Sequence, residues 1–280
     1  MESGTASVWR RLLRHRLAVA GMLIVGGLIL VALLARPLAP YDPIAQNLGN
    51  AFQPSSREHP LGTDEFGRDI LSRIIFGARV SLLVGVVSVG IGLVAGALSG
   101  LIAGYAGGVV DVSISGVMDV LLAVPGVLLA IAIVATLGPG LFNVMVATGI
   151  SSVPVFARLA RGSVLTVKET EFIEAVRALG GTTGRVLFRH ILPNIAAPLV
   201  VMASLHMASA ILTAAGLSFL GLGAQPPTPE WGAMLSRGRE YLRSAPHIAT
   251  YPGIAILFAV MGFNFLGDGL RDALDPRLKV

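Results

Sequence analysis

The sequence predicts an all-α polytopic membrane protein, with six transmembrane helices and a helical cytosolic loop between spans four and five. Three observations carry that prediction. The 280-residue chain is 54% hydrophobic and only 13% charged, more apolar surface than a water-soluble domain of this size can bury. Its ionisable residues are partitioned: between Arg79 and Asp111 only Tyr105 is ionisable, and residues 120–157 contain none. The basic residues fall in short clusters between the apolar runs, as in loops that orient a membrane protein. These clusters carry no interleaved aromatic platform, so the net charge of +5 argues for loop bias rather than nucleic-acid binding. With no cysteine, disulfides, zinc thiolates and a Cys nucleophile are excluded.

Span one is the apolar run 17–35, preceded by Arg10, Arg11, Arg14 and Arg16. The run imitates a signal peptide, but it is about the 20 residues that a bilayer core of roughly 30 Å requires. Ala35 and Ala39, the small residues that could mark cleavage, are followed by Arg36-Pro37 and Pro40, so an uncleaved helix is expected. In residues 63–79, Thr63 is placed to cap a helix whose first turn holds Asp64 and Glu65. Ile70, Leu71, Ile74 and Ile75 give that helix an apolar stripe suited to the outer membrane surface.

Span two carries Gly92, Gly96, Gly100, Gly104 and Gly108 at four-residue intervals, one narrow small-residue stripe on a helix. The stripe reads as a packing face, with a hinge for opening and closing as the alternative. Residues 120–157 are too long for one span, and Leu137-Gly138-Pro139-Gly140 divides them into spans three and four. Asp119 is the one carboxylate well inside a span. It is expected to face the bundle interior, either hydrogen-bonded structurally or in a gate. Runs 195–222 and 248–266 complete the six. His206, with Ser204, Ser209 and Thr213 on span five, is a candidate to line a pathway, and packed hydrogen bonding is the plainer reading.

An even number of spans puts both termini on one side, and the N-terminal arginines make it the cytosol. The loop between spans four and five then also faces the cytosol, with Arg158, Arg161, Lys168, Arg177, Arg185 and Arg189 against Glu169, Glu171 and Glu174; the loop after span one is charge-balanced. The resulting partition is 1–79 (cytosolic tail, first span, external amphipathic segment), 80–267 (five-helix core with loop 158–193) and 268–280 (cytosolic tail).

In that loop, Thr166-Val167-Lys168-Glu169 has capping-box spacing. Phe172, Ile173, Val176 and Leu179 follow at helical spacing, and Gly180-Gly181 can supply a left-handed C-cap. Lying outside the bilayer, this apolar stripe must find a partner.

Glu174-Ala175-Val176, then Gly180, then His190-Ile191-Leu192-Pro193 resemble the EAA loop of ABC import permeases. Val176 stands where the family pattern has a second alanine, and His190 where it has isoleucine. Arg189 to Asn194 resembles the peptide and nickel branch, as do three further segments: His59-Pro60-Leu61-Gly62-Thr63-Asp64 with Gly67-Arg68-Asp69, the 217–232 region with Pro226, Pro227 and Trp231-Gly232, and Gly267-Asp268-Gly269-Leu270-Arg271-Asp272. The first of these resembles the N-terminal extension of the branch's "C"-type permease.

The resemblance implies a type I importer permease in the bacterial cytoplasmic (inner) membrane, forming half of a pathway for dipeptides or oligopeptides. Nickel, a metal chelate or glutathione are the competing cargoes. It also implies a homologous second permease, two ATPase subunits or one two-domain ATPase, and an extracytoplasmic solute-binding protein. Phe172, Ile173, Glu174, Ala175, Val176, Leu179, Gly180 and Gly181 become the ATPase-coupling residues. The Trp231 region reads as an interfacial or re-entrant turn, or as a docking surface for the binding protein.

Catalytic chemistry is missing from the sequence. Its two lysines, Lys168 and Lys279, do not follow glycine, so no phosphate-cradling loop exists, and ATP with Mg is expected on partner subunits. No H-E-x-x-H, G-x-S-x-G or metal-spaced His cluster occurs. A stand-alone secondary transporter or channel, or a membrane enzyme, are the alternative classes.

Overall fold

The computed structural model describes residues 12, 13 and 15–274; Arg10, Arg11 and Arg14 of the basic N-terminal cluster lie outside them. The described chain contains five helices long and apolar enough to span a membrane: α1 (Arg16–Leu33), α2 (Ile70–Ala106), α5 (Leu141–Val167), α7 (Leu192–Phe219) and α9 (His247–Leu274). A sixth span is broken. Helices α3 (Gly108–Ala123) and α4 (Gly126–Leu137) meet at a 92° bend. Short helices lie in the connections, among them α6 (Glu171–Ala178) and α8 (Trp231–Gly238).

The break at residues 137–140 is present, with Gly138 and Gly140 at φ +90° and +156°. A second break, at Val124-Pro125, divides span three itself. Proline disfavours a helical residue before it, and Val124 is extended at ψ 129°.

α2 and α5 form the most extensive helix pairing, and the glycine stripe explains it. A Cβ on Gly96 would lie 2.5 Å from Phe156 Cβ and 2.6 Å from the Val153 carbonyl, and one on Gly104 would lie 2.9 Å from Val164 Cβ. Gly92 and Gly100 press equally closely on Ser152 Oγ and the Ala157 carbonyl. Backbone contact this close maximises dispersion between helices that lipid cannot drive together. Gly108 stands apart from the stripe: it opens α3 at φ +52° with open space around it.

Residues 63–79 differ from the expected separate surface helix. Asp69 caps the helix start, accepting from Ser72 N at 2.8 Å, and α2 runs unbroken through position 79. Thr63 caps nothing. It is fully buried, accepts from Gln53 N at 2.9 Å and donates to the Asn50 carbonyl. Asp64, which was expected in a helical turn, organises a loop: its Oδ1 accepts from Phe66 N and Arg68 N, and its Oδ2 from Arg68 Nε at 2.6 Å. His59 Nδ1 meets Asp69 Oδ1 at 2.9 Å. Buried charges persist only where paired and hydrogen-bonded, and these pairs convert the segment into a folded cap over one end of the bundle.

Trp231 belongs to that cap. It is 1% exposed, donates from Nε1 to the Ile74 carbonyl at 3.1 Å and fills the space above Gly77. This corrects the expectation that the indole settles at the headgroup level, because its proton finds an acceptor on α2. Glu230 caps α8 through the amides of Gly232 and Ala233, and burial pushes its carboxyl above the usual glutamate range. At the other end, α9 continues through residues 267–272. It packs Gly269 onto Ala18 of α1, so the partition drawn at 267 falls inside a helix.

Candidate coupling surface and pathway cavity

α5 runs to Val167, so the capping box expected at residues 166–169 does not form. Thr166 Oγ1 instead donates back to the Gly162 carbonyl, and Thr170 is the N-cap of α6. The C-terminus follows the sequence expectation closely. Gly180 sits at φ +79°; Gly181 N donates to the Val176 carbonyl and Gly180 N to the Arg177 carbonyl, both at 2.9 Å. These two bonds are a Schellman closure.

The apolar stripe of α6 is in fact two faces. Ile173 is fully buried and Val176 half-buried, packed with Leu101, Val164, Val186 and Ile191. Phe172 and Leu179 are 43% and 88% exposed on the outward side, with Ala175 between them. Lys168 Nζ donates to the Gly104 carbonyl at 2.9 Å, and the Arg177 guanidinium lies 5.0 Å from the centre of the Tyr105 ring. The loop is thereby fastened to the end of α2. A six-residue π-helical turn, Val186–Ile191, joins it to α7.

His206, Ser209 and Thr213 line one cavity of about 320 Å³, together with Thr148, Ser151 and Ser152 of α5 and the Pro125 bend. The His206 ring lies 5.0 Å from the Phe156 ring, centre to centre, with the two planes tilted by 48°. Ser204 is turned elsewhere, donating to the Val200 carbonyl.

Asp119 is separate from this group. It lines a second cavity of about 250 Å³ with Asp111's partner Arg161, and it pairs with Arg158 at 2.8 Å. Arg158 and Arg161 therefore belong to span four rather than to the loop. Sequence reasoning counted them as loop charges. Two carboxylates on one span, Asp111 and Asp119, and two arginines on the next, Arg158 and Arg161, are the signal that could have found the pairs, since charges within spans seek partners. Thr148, Ser151 and Ser152 had no comparable signal in the sequence, since small polar residues in a span have many uses.

Residues 96–280 match the family model described as binding-protein-dependent transport system inner membrane component, and residues 3–54 match the N-terminal TM domain of oligopeptide transport permease C. The chain is 50% identical over 277 residues to the dipeptide transport system permease protein DppC of Alkalihalophilus pseudofirmus, covering 98% of this chain and 91% of that protein. It is 51% identical over 274 residues to the glutathione transport system permease protein GsiD of Pectobacterium atrosepticum, covering 97% and 90%. The fold is also that of a chain in an inward-facing structure of the MetNI methionine ABC transporter, with a TM-score of 0.59 at 20% identity over 74% of this chain and 98% of that one. The chain belongs to the binding-protein-dependent family of ABC importer inner-membrane permeases, with the N-terminal module of its C-type oligopeptide branch.

Proposed function

We propose that this chain forms half of a peptide translocation pathway, driven by ATPase subunits that dock on α6. The carrying observation is the division of α6 into two faces. Ile173 is held by the chain's own bundle, and Phe172, Ala175 and Leu179 are left as an apolar ridge outside it. An apolar face at that position has no lipid to enter, so a groove on a soluble partner is its natural seat. ATP and Mg belong to that partner, and this chain itself carries out no hydrolysis.

The broken third span has no buried residue on α3, which suits a second, homologous permease closing the pathway across it. Solute arrives from an extracytoplasmic binding protein at the folded cap, and both termini lie in the cytosol with α6. Peptide is the favoured cargo because the relatives named above carry a dipeptide and glutathione, itself a small peptide. Nickel is the rival cargo of the same architecture.

The test is uptake of a labelled dipeptide in cells with and without this subunit, with excess glutathione, oligopeptide or nickel as competitors. Loss of uptake on deletion, restored by the wild-type chain and not by Gly180→Leu, supports a peptide importer coupled through this loop. Unchanged uptake in cells without a redundant importer rejects the peptide assignment.

A further inference from the structure

The third span breaks at Val124-Pro125, and the break exposes a helix N-terminus to the cavity that also holds His206. Pro125 caps α4 without any side-chain hydrogen bond, and Gly126 and Val127, whose amides open the helix, line the cavity. The first amides of a helix have no intrahelical acceptor, and a helix of this length carries partial positive charge there. Lipid cannot satisfy non-helical backbone at membrane depth, so such a break is stable only against protein or a water-filled path.

A second observation points to a ligand at the same place. Thr148 lines this cavity from α5 and is 4% exposed, and its Oγ1 is the buried side-chain polar atom left without a partner among the described residues. Its neighbours are already engaged: Ser151 Oγ donates to the Thr148 carbonyl and Ser152 Oγ to the Gly149 carbonyl. An unpartnered buried hydroxyl is unfavourable unless water or a ligand completes it. The cavity wall contains no Asp or Glu, so no fixed negative charge opposes an anion at the helix N-terminus.

We propose that the bend of the third span is a carboxylate station, where the Gly126 and Val127 amides and the Thr148 hydroxyl receive the C-terminal carboxylate of a peptide in transit. This rests on the peptide reading above. The α-carboxylate is the anion that every linear peptide shares whatever its side chains, so a station built of backbone amides and one hydroxyl serves many sequences. Broken spans present half-helix N-termini to anionic substrate groups for the same reason. A volume of about 320 Å³ matches a small ligand rather than a long chain.

The test uses the complete complex in vesicles, with binding protein loaded to equal occupancy with labelled alanyl-alanine or its C-terminal amide. The wild type is expected to move the free acid about tenfold faster than the amide, the scale of one hydrogen bond to a charged group. Thr148→Val, which removes the hydroxyl and orphans no partner, is expected to lower that ratio about threefold by slowing the acid more than the amide, the two backbone amides remaining in place; Thr148→Ser restores it. Equal slowing of both peptides by Thr148→Val makes the residue a packing element and overturns the proposal, as does a wild-type complex without preference for the acid. A wild-type complex that moves neither peptide overturns the peptide reading itself, and the station with it.

Discussion

Arg161 holds Asp111 through two parallel hydrogen bonds, Nε to Oδ1 at 2.5 Å and Nη2 to Oδ2 at 2.6 Å, joining span four to the first turn of the broken third span. One helical turn earlier on span four, Arg158 reaches Asp119 through a single contact at 2.8 Å. The two pairs differ in geometry and exposure. The Asp111 side chain is 16% exposed, whereas Asp119 and Arg158 are 65% exposed.

From this contrast Asp111→Asn should destabilise the solubilised chain by about 1–3 kcal/mol, because it leaves half of a bidentate charged pair unsatisfied. Asp119→Asn should cost under about 1 kcal/mol. Thermal unfolding of the two variants side by side checks the order, and an equal effect of both rejects it.

Gly180 has open space around it, so substitution there meets no clash and the penalty is purely conformational. At φ +79° an L-residue costs about 1 kcal/mol, and asparagine less. Gly180→Leu and Gly180→Val should therefore lower the ratio of transport to ATP hydrolysis, and Gly180→Asn should keep most of it. Coupled transport measured in vesicles would contradict this if asparagine and valine behaved alike.

The two faces of α6 predict opposite phenotypes. Ile173→Ala empties a fully buried site and should cost about 2–4 kcal/mol of stability. Phe172→Ala and Leu179→Asp should leave the unfolding midpoint unchanged while reducing co-purification of the ATPase subunit. Retained co-purification in the double variant Phe172→Ala/Leu179→Asp would reject α6 as the docking ridge.

Along α2, Gly96→Leu drives a side chain into the α5 backbone and should abolish accumulation of the folded chain. Gly90→Ala on the same helix meets no atom within 4 Å and should be neutral or slightly stabilising, since alanine is the better helix former. Membrane abundance of the two variants is the readout.

Glu230 provides a pH signature. Its folded pKa is raised by burial above the ordinary value of 4.5, so the folded chain retains the proton longer than the unfolded one. Its contribution is then full below the ordinary value and declines as pH rises through the raised one. The stability of the wild type relative to Glu230→Gln should fall over that interval, and a pH-independent difference in unfolding midpoint would refute the burial argument.

Much of the architecture was legible because membrane insertion depends on local composition. The ion-free stretches locate the spans, and the breaker at residues 137–140 separates the third from the fourth. The Gly180-Gly181 pair marks the end of α6, because only a residue tolerant of positive φ closes a helix in that way. Misreadings came where a local pattern had a competing tertiary use. Thr63 and Thr166 both have the chemistry of caps, yet Thr63 ties a loop to Gln53 and Asn50, and Thr166 lies in the last turn of α5. Trp231 has the character of a headgroup anchor, but an acceptor on Ile74 claims it.

Sequence alone therefore determined the number of apolar spans, the EAA-like loop with its terminating glycines and the small-residue face of α2, each a property of residues near one another in the chain. Only the tertiary structure decided which side of α6 is already occupied, that Arg158 and Arg161 are ion-pair partners of Asp119 and Asp111 rather than free loop charges, and that Thr148 joins His206 at the Pro125 bend. Such pairings depend on how helices distant in sequence rotate and bend against each other. Hydropathy and helical periodicity fix a helix's length and its faces, but not which neighbour each face meets.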